Sequence, residues 1–297
     1  MKFNPKHKPK LGLALSGGGA RGLAHIGVLK VLKEVNIQVD YLAGTSMGGV
    51  IAAAYASGMT VEEIKAIADE YSDTRTLMHL ADPTIPRRGL FKGEQLEAFF
   101  RRHIRNYNFK NLRIPLTLVA VDLNSGQEVH LNKGEVASAI RATVSVPGLL
   151  APVERDGQRL VDGGLLNNLP VDVARDMGAD VVVAVDVSTR NENTSYWRLL
   201  SEKRWISRTV GGLIAVLGDS LELLIRQQSL NKLRKSPPDF LLAPQIPPDV
   251  TVISGYDRVD DLIRLGEEAA RPLIDDILRS LSPRWFRSGR KRTPRSR

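Results

Sequence analysis

A strand-like apolar run at residues 39–43 leads directly into the motif Gly-Thr-Ser-Met-Gly at residues 44–48, and a helix-like stretch follows. This order predicts a strand, a tight turn and a helix, with Ser46 at the apex. Gly44 and Gly48 let the turn adopt a conformation that bulkier neighbours would block, so that the serine hydroxyl projects above the strand end. Ser46 is therefore a candidate nucleophile, and the alternative interpretation is an ordinary structural turn.

Nearly continuous apolar runs recur along the chain and alternate with helical patterns. Such runs suit strands that are buried on both faces, and the alternation implies right-handed crossovers between parallel strands. The fold class predicted is α/β, with a mostly parallel central sheet flanked by helices. Strands are predicted at residues 11–16, 39–43, 115–122, 180–187 and 239–242, hairpin pieces at 128–131 and 153–160, and helices at 22–35, 48–57, 61–71, 93–104, 135–142, 171–177 and 208–230.

Composition limits the number of domains and excludes several kinds of functional site. With 297 residues, an apolar fraction of 42% and no internal repeat, residues 11–282 are expected to form one domain with a sizeable core. The chain has no cysteine, which excludes a disulfide framework, a thiolate zinc site and a cysteine nucleophile.

The formal charge of +9 lies at the two ends of the chain. Residues 1–10 form a basic N-terminal extension, and residues 283–297 form a basic tail that is expected to be disordered. With Trp285 and Phe286 beside its basic residues, the tail could contact an anionic membrane or bind nucleic acid nonspecifically, although a solvated end is the alternative. We expect no specific nucleic-acid partner.

The N-terminus resembles a signal peptide, but its apolar run breaks at Ser16 and is too short for one. No run approaches the roughly 18 apolar residues of a membrane span. The sequence therefore predicts a soluble, cytoplasmic protein, with peripheral membrane association through the tail.

A glycine-rich turn follows the first predicted strand and opens a helix. Gly17, Gly19 and Gly22 satisfy the Gly-x-Gly-x-x-Gly pattern of dinucleotide sites. That pattern also needs an acid at the end of the second strand, whereas Asp40 lies at its beginning. The free N–H groups of such a turn can instead stabilise an oxyanion that develops on an attacked carbonyl.

A nucleophilic serine needs a base, and the histidines do not provide one in the usual order. All five lie in the first half of the chain, so the order serine, acid, histidine cannot be completed after a late aspartate. His25 lies one helical turn beyond the glycine-rich turn, but a lone histidine in a helix is more often packed or solvated. A dyad is therefore favoured over a triad.

The best partner for Ser46 is Asp162, because Gly163 and Gly164 follow it and allow a tight backbone that exposes the carboxylate. Asp-Gly-Gly is also common turn chemistry, so a plain turn remains the alternative. The other candidates, which lack this setting, are Asp122, Asp172 and Asp186.

Taken together and in this order, the motifs at residues 17–22, 44–48 and 162–164 resemble those of the patatin-like phospholipases and lipid acyl hydrolases, which include bacterial members and the catalytic domain of neuropathy target esterase. Residues 142–148 and 167–170 also resemble connecting segments of this family, and the likeness covers residues 10–187.

The resemblance implies a three-layer patatin-like fold and a Ser-Asp dyad, with Ser46 as nucleophile and Asp162 as base. It further implies that the amides of Gly17, Gly18 and Gly19 are the oxyanion donors. Arg21 matches the basic position of the family's glycine loop, where it could support the loop or meet an anionic substrate. At Gly164 the family frequently has alanine, and either small residue should fit.

The expected function is that of a serine-dependent lipid acyl hydrolase, a phospholipase, lysophospholipase or esterase, which needs no metal or other cofactor. Its expected partner is a lipid or another acyl-ester substrate. The alternatives are a catalytically quiet regulatory or interaction protein with the same fold, and a nucleotide-binding oxidoreductase.

Two further segments could contribute to such a site. Residues 74–91 resemble a long loop that could cover it. An apolar stripe on the predicted helix at 208–230 is interpreted as packing against the core rather than against a membrane, and it consists of Val210, Ile214, Leu217, Leu221 and Leu224.

Overall fold

The computed structural model describes residues 8–73, 80, 82, 91–104, 107–188, 208–252 and 254–282, without the side chains of 208–215 and 217. Most of the basic N-terminal extension, most of the 74–91 segment and the 283–297 tail lie outside these residues, as does the part of the apolar stripe that precedes residue 218.

The strands follow the predicted apolar runs closely. The described residues form β1 (Leu11–Leu15), β2 (Tyr41–Thr45), β3 (Leu116–Asp122), β4 (Gln127–Leu131), β5 (Val153–Arg155), β6 (Gln158–Asp162), β7 (Val181–Val185) and β8 (Phe240–Leu242). The β5–β6 hairpin turns at Asp156, whose φ is 50°, and Gly157, whose φ is 77°, as the Asp-Gly sequence indicates.

Within the described residues, the helices confirm the seven predicted ones and add three. They are α1 (Ala24–Glu34), α2 (Ser46–Ala56), α3 (Val61–Glu70), α4 (Glu94–His103), α5 (Val136–Thr143), α6 (Gly164–Asn167), α7 (Val171–Asp176), α8 (Arg208–Lys235), α9 (Val259–Ala270) and α10 (Ile274–Leu281). A 3-10 turn at Gly19–Leu23 precedes α1.

One mixed sheet has the strand order β5-β6-β3-β2-β1-β7-β8, with β4 paired to β3. The pairs β3–β2, β2–β1, β1–β7 and β7–β8 are parallel, whereas β4 and β6 pair with β3 in the antiparallel sense. The central part of the sheet is therefore parallel, as predicted, and antiparallel strands extend it at the β3 side.

Helices cover both faces of the sheet. Along β1, Leu11, Leu13 and Leu15 pack into the larger apolar cluster with α1, α2 and α9, while Ala14 points to a second cluster formed with α7. Because successive side chains of a strand point to opposite faces, a continuous apolar strand serves both layers. The predicted three-layer α/β arrangement is confirmed.

Two differences concern the nucleophile turn and the C-terminal helices. The strand before the turn extends to Thr45 and the helix begins at Ser46, so no residue separates the two elements. Helices α9 and α10 were not predicted from the sequence. Helix α9 depends on a close crossing with α1, where a Cβ on Gly27 would lie 1.9 Å from the carbonyl oxygen of Ile263.

The predicted core packing of the α8 stripe is wrong for Leu224, which is 60% exposed. Leu221 and Ile225 face the body of the protein and line a cavity. The contacting face of α8 is thus narrower than the apolar stripe, and part of the stripe lies on the water-facing side.

Candidate active site

Ser46 occupies a sharp junction between β2 and α2. Its φ is 52°, in a region that residues other than glycine rarely adopt. The Ser46 N–H donates to Oγ1 of Thr143 at 2.9 Å, and that hydroxyl donates to the Val119 carbonyl at 2.5 Å. Thr45 Oγ1 donates to the Asn167 carbonyl at 2.8 Å. These bonds hold the strained turn and leave the serine side chain partly exposed.

The register of the sheet places Asp162 beside Ser46. Thr45 pairs with Val119 of β3, and Asp162, the last residue of β6, pairs with Ala120. The ends of β2 and β6 are therefore adjacent, Ser46 and Asp162 line the same cavity, and the Ser46 hydroxyl lies near enough to the Asp162 carboxylate to favour its ionised form. The structure brings together the two residues that sequence reasoning selected.

The Asp162 side chain is only 6% exposed. Burial raises its pKa to about 6, against a hydrogen bond from the Gly164 N–H at 2.8 Å and the influence of the nearby Ser46 hydroxyl, which both favour the ionised form. A carboxylate with such a pKa is ionised at neutral pH and yet more basic than an ordinary aspartate, which suits a general base.

The glycine-rich turn lies beside this pair. Gly19 has a φ of 58°, and a Cβ there would lie 2.3 Å from the backbone of Val252, so both its conformation and its surroundings require glycine. No described protein group accepts a hydrogen bond from the N–H of Gly18 or Gly19. These two N–H groups are available to an oxyanion.

The N–H of Gly17 is occupied, contrary to the expectation that it is an oxyanion donor. Its N–H donates to the Asn168 carbonyl at 3.1 Å, and its own carbonyl accepts from Nδ2 of Asn168 at 3.4 Å. Gly17 therefore anchors the loop to the segment after Asp162 and cannot serve as an oxyanion donor while this bond persists, because its one N–H is occupied.

The supporting glycines lie where backbones approach closely. A Cβ on Gly44, Gly48 or Gly163 would come within 2.4 to 2.7 Å of a backbone atom. At Gly164 the nearest atoms, on Asp162 and Asn168, would be 3.1 Å away. A methyl group at Gly164 thus requires only a small shift, in keeping with the expected tolerance of alanine.

Arg21 is 4% exposed and supports the glycine-rich turn. Its Nε donates to the Val250 carbonyl at 3.1 Å, and its Nη2 lies 3.9 Å from Oε1 of Glu222 on α8. Burial lowers the Arg21 pKa to about 10 and raises the Glu222 pKa to about 6. Arg21 also lines a cavity beside Ser46, so it could both support the loop and meet an anionic group.

Two cavities meet at Ser46. The large cavity, of about 410 Å³, is enclosed mainly by apolar side chains of α2, α3 and α4. The small cavity, of about 120 Å³, lies between the glycine-rich turn, Asp162 and α8, and its wall includes Arg21, Glu222 and Arg226. Ser46 borders both, so a bond attacked by its hydroxyl can have an apolar group in the large cavity and, on the other side, a group that meets these charged side chains.

The described histidines bind groups other than the Ser46–Asp162 pair. His25 is buried, and its Nε2 lies 2.9 Å from the Ser16 carbonyl; burial lowers its pKa to about 4, which keeps the ring neutral. His103 bonds the Phe99 carbonyl and His130 bonds Glu128. These contacts agree with a dyad rather than a triad.

The other candidate aspartates are engaged elsewhere. Asp122 accepts from Ser125 and from the Arg159 N–H, Asp172 binds Lys232, and Asp186 accepts from Ser188.

Asp40 accepts from the Leu11 N–H at 2.8 Å, at the start of the parallel strands. It is therefore at the wrong end of the sheet for the ribose of a dinucleotide.

Sequence reasoning missed several groups that position the dyad. Thr143 and Asn168 lie in segments noted only as resembling those of a family. A polar cluster behind the dyad was not recognised at all: Lys232 Nζ donates to Glu128 Oε2 at 3.0 Å and to Asp172 Oδ2 at 2.5 Å, and Asn167 Nδ2 donates to both carboxylates at 2.8 Å. Its members come from four separate elements, so no local pattern connects them.

Among the described residues, no group of three or more histidine, aspartate or glutamate side chains is arranged to hold a metal ion. In the same part of the chain, no helix has the length and apolar character needed to cross a membrane.

Comparison with known proteins places the chain in a family. The family model for Patatin-like phospholipase matches residues 13–175, more than half of the chain. An uncharacterized NTE family protein of Mycobacterium tuberculosis is 38% identical over 188 residues, which cover 63% of this chain and 52% of that protein. Human Patatin-like phospholipase domain-containing protein 6 is 38% identical over 187 residues, covering 61% of this chain and 14% of that protein.

The chain thus spans about half or less of the length of these curated relatives. VipD from Legionella pneumophila has a similar fold, with a TM-score of 0.50 at 14% identity over 91% of this chain and 67% of that one. Given the extent of the family match, the chain belongs to the patatin-like phospholipase family.

Proposed function

We propose that this protein hydrolyses carboxylic ester bonds of lipids, with Ser46 as the nucleophile and Asp162 as its base. The observation that carries the proposal is the position of the Ser46 hydroxyl beside a buried carboxylate, where an apolar cavity meets a smaller one that has charged side chains in its wall. Membership of the patatin-like phospholipase family supports a lipid acyl hydrolase.

The reaction proceeds in two acyl transfers. Ser46 Oγ attacks the ester carbonyl carbon while Asp162 accepts its proton, and the tetrahedral intermediate collapses with release of the alcohol, which takes the proton from Asp162. A water molecule then attacks the acyl-enzyme, with Asp162 again accepting a proton, and the fatty acid leaves as Ser46 recovers its hydrogen.

The N–H groups of Gly18 and Gly19 are the proposed oxyanion donors. They belong to a turn held against Val252 and Asn168, so they need little reorganisation when negative charge develops. The loss of one such donor typically costs about 3–4 kcal/mol of transition-state stabilisation.

The large cavity is the proposed acyl site. Its lining is apolar along α2, α3 and α4, and its volume of about 410 Å³ falls within the range of about 300–1,000 Å³ that is usual for ligand pockets. The small cavity would then hold the alcohol part of the ester, beside Arg21, Glu222 and Arg226.

A fluorophosphonate probe tests the nucleophile. We expect mass spectrometry to locate the label on Ser46, with no label on Ser46→Ala and much slower labelling of Asp162→Asn. The matched control is Ser57→Ala, which removes a buried hydroxyl at the other end of α2. Fatty-acid release from phospholipid, lysophospholipid and simple ester substrates then identifies the ester class.

Unlabelled but folded wild-type protein, or equal lipid hydrolysis by Ser46→Ala, would reject this function. The first result would favour a catalytically quiet interaction protein that retains the fold.

A further inference from the structure

Helix α8 forms one wall of the proposed catalytic chamber. Its inner face contributes Gly218, Leu221, Glu222, Ile225, Arg226 and Ser229 to the small cavity that also contains Ser46 and Asp162. Further along, Lys232 binds two carboxylates behind the dyad. One face of this helix therefore packs against the active-site side of the protein.

The opposite face of α8 carries a row of exposed apolar side chains, here called the outer ridge. It consists of Val216, Leu223, Leu224 and Leu230, which are 63%, 57%, 60% and 41% exposed. Val216, Leu223 and Leu230 are seven residues apart, about two helical turns, so they follow one line along the helix. Single exposed apolar residues are ordinary, but four on one helix, three of them in line and Leu224 beside them, indicate a contact surface.

The charges beside the outer ridge favour an anionic occupant. Between residues 216 and 235, no acidic side chain of the described residues is exposed, whereas Arg234 and Lys235 are. The two acids of this stretch, Asp219 and Glu222, are partly buried. An apolar face with amides and terminal basic residues suits a lipid surface with anionic headgroups.

We propose that the outer ridge docks on an anionic lipid surface. The proposal rests on the lipid hydrolysis proposed above, because the substrate of such an enzyme resides in that surface. Leu224 and Ile225 are consecutive, so the outer ridge borders the face that lines the chamber. Docking through α8 places the bilayer beside the wall of the site, which shortens the path of a lipid to Ser46.

The test compares Leu223→Gln/Leu224→Gln with the wild type in the full chain. Glutamine favours helix nearly as well as leucine, so the change removes apolar surface while keeping α8. Leu278→Gln is the matched control, since Leu278 is a 39% exposed leucine on another helix, α10. Leu223→Ala/Leu224→Ala is a second variant in case the glutamines disturb folding.

Three measurements separate the outcomes. Cosedimentation with vesicles of phosphatidylglycerol and phosphatidylcholine reports docking, hydrolysis of a short, water-soluble ester reports the active site without a membrane, and light scattering reports the oligomeric state. We expect vesicle binding to fall at least about tenfold in the double variants and to stay unchanged in the control, with soluble-ester hydrolysis preserved.

Unchanged vesicle binding by the double variants, or no binding by the wild type, overturns the proposal. A wild-type dimer that the double variants dissociate, without an effect on vesicles, also overturns it and assigns the outer ridge to a second copy of the chain. If vesicle binding depends on the outer ridge while the soluble ester is not hydrolysed, docking stands and the proposed reaction fails.

Discussion

Asp162 pairs with Ala120 on β3, one residue beyond the point at which Thr45 pairs with Val119. Strand β3 thus aligns the end of β2 with the end of an antiparallel strand from much later in the chain. Ser46 follows Thr45 directly, so the register of the sheet places the hydroxyl and the carboxylate next to each other. The proximity of Ser46 and Asp162 is therefore set by the register of the sheet.

The pH dependence of turnover should follow the ionisation of Asp162. Because burial raises its pKa to about 6 and the base must be ionised, we expect kcat/KM to fall about tenfold per pH unit below pH 6 and to level off above pH 7. Glu222 also has a pKa raised to about 6, so the control is Glu222→Gln, in which the acid limb should persist. A profile that is flat from pH 5 to 8 in folded protein would contradict the assignment.

Asp162→Asn should lose activity and gain stability. The folded-state pKa of about 6 lies above the ordinary aspartate value of 3.8, so the ionised carboxylate lowers stability progressively from about pH 4 to pH 6, and the full loss is reached above that range. We expect the free energy of unfolding to rise by about 1–3 kcal/mol at pH 8 and to change little at pH 4. Urea denaturation at both pH values measures this, and a destabilised variant at pH 8 would show that the carboxylate is structurally required.

Gly19→Ala should damage the oxyanion loop. The added methyl group would lie 2.3 Å from the Val252 backbone, so the turn must shift, and we expect kcat/KM to fall about 10²–10³-fold. Gly126→Ala is the control, since Gly126 also has a positive φ, 69°, but nothing lies within 4 Å of its added Cβ. Equal activities of the two variants would refute the role of this loop.

Ala54→Phe should shorten the acyl site. Ala54 lines the large cavity on α2, eight residues from Ser46, which is about 12 Å along a helix. We expect kcat/KM for long-chain esters to fall at least about tenfold, because each excluded methylene forfeits up to about 0.8 kcal/mol of burial, while butyrate esters should be hydrolysed nearly as before. If both substrates are affected equally, the acyl chain does not enter this cavity.

Lys232→Met should destabilise the cluster behind the dyad. Although burial raises the Glu128 pKa, bonds from His130, Asn167 and Lys232 outweigh it and hold that pKa at about 2. Glu128 therefore stabilises the fold above pH 4.5, and this contribution is lost as the pH falls toward 2.

Without the ammonium, Glu128 and Asp172 keep their bonds from Asn167 and, for Glu128, from His130, but lose the cation that they share, and we expect a loss of about 1–3 kcal/mol at pH 7 that shrinks at lower pH. The matched control is Lys65→Met, which removes a more exposed lysine paired with Asp69 and should cost less than about 1 kcal/mol. Urea denaturation of both variants measures the difference, and equal losses would show that the cluster has no special role.

Most residues of the candidate site could be predicted from local sequence motifs. The turns around Ser46 and Gly19 were visible because each combines a strand, glycines and a helix within a few residues, and Asp162 because two glycines follow it. The expected role of Gly17 as an oxyanion donor fails, because its N–H donates to the Asn168 carbonyl. Asn168 lies far away in the sequence, so no local pattern indicates this bond. Helix α9 was missed for a related reason, since its close crossing with α1 at Gly27 has no local signature.

By itself, the sequence determined the α/β class, the order of the strands along the chain, and which serine and which aspartate could react, because periodicity and turn chemistry are local properties. Only the tertiary structure decided that β3 aligns Thr45 with Asp162, that Lys232 joins Glu128 and Asp172, and that one face of α8 lines a cavity while the other remains exposed. Those relationships depend on strand register and on packing between distant elements, whose free energy arises only when the whole chain is folded.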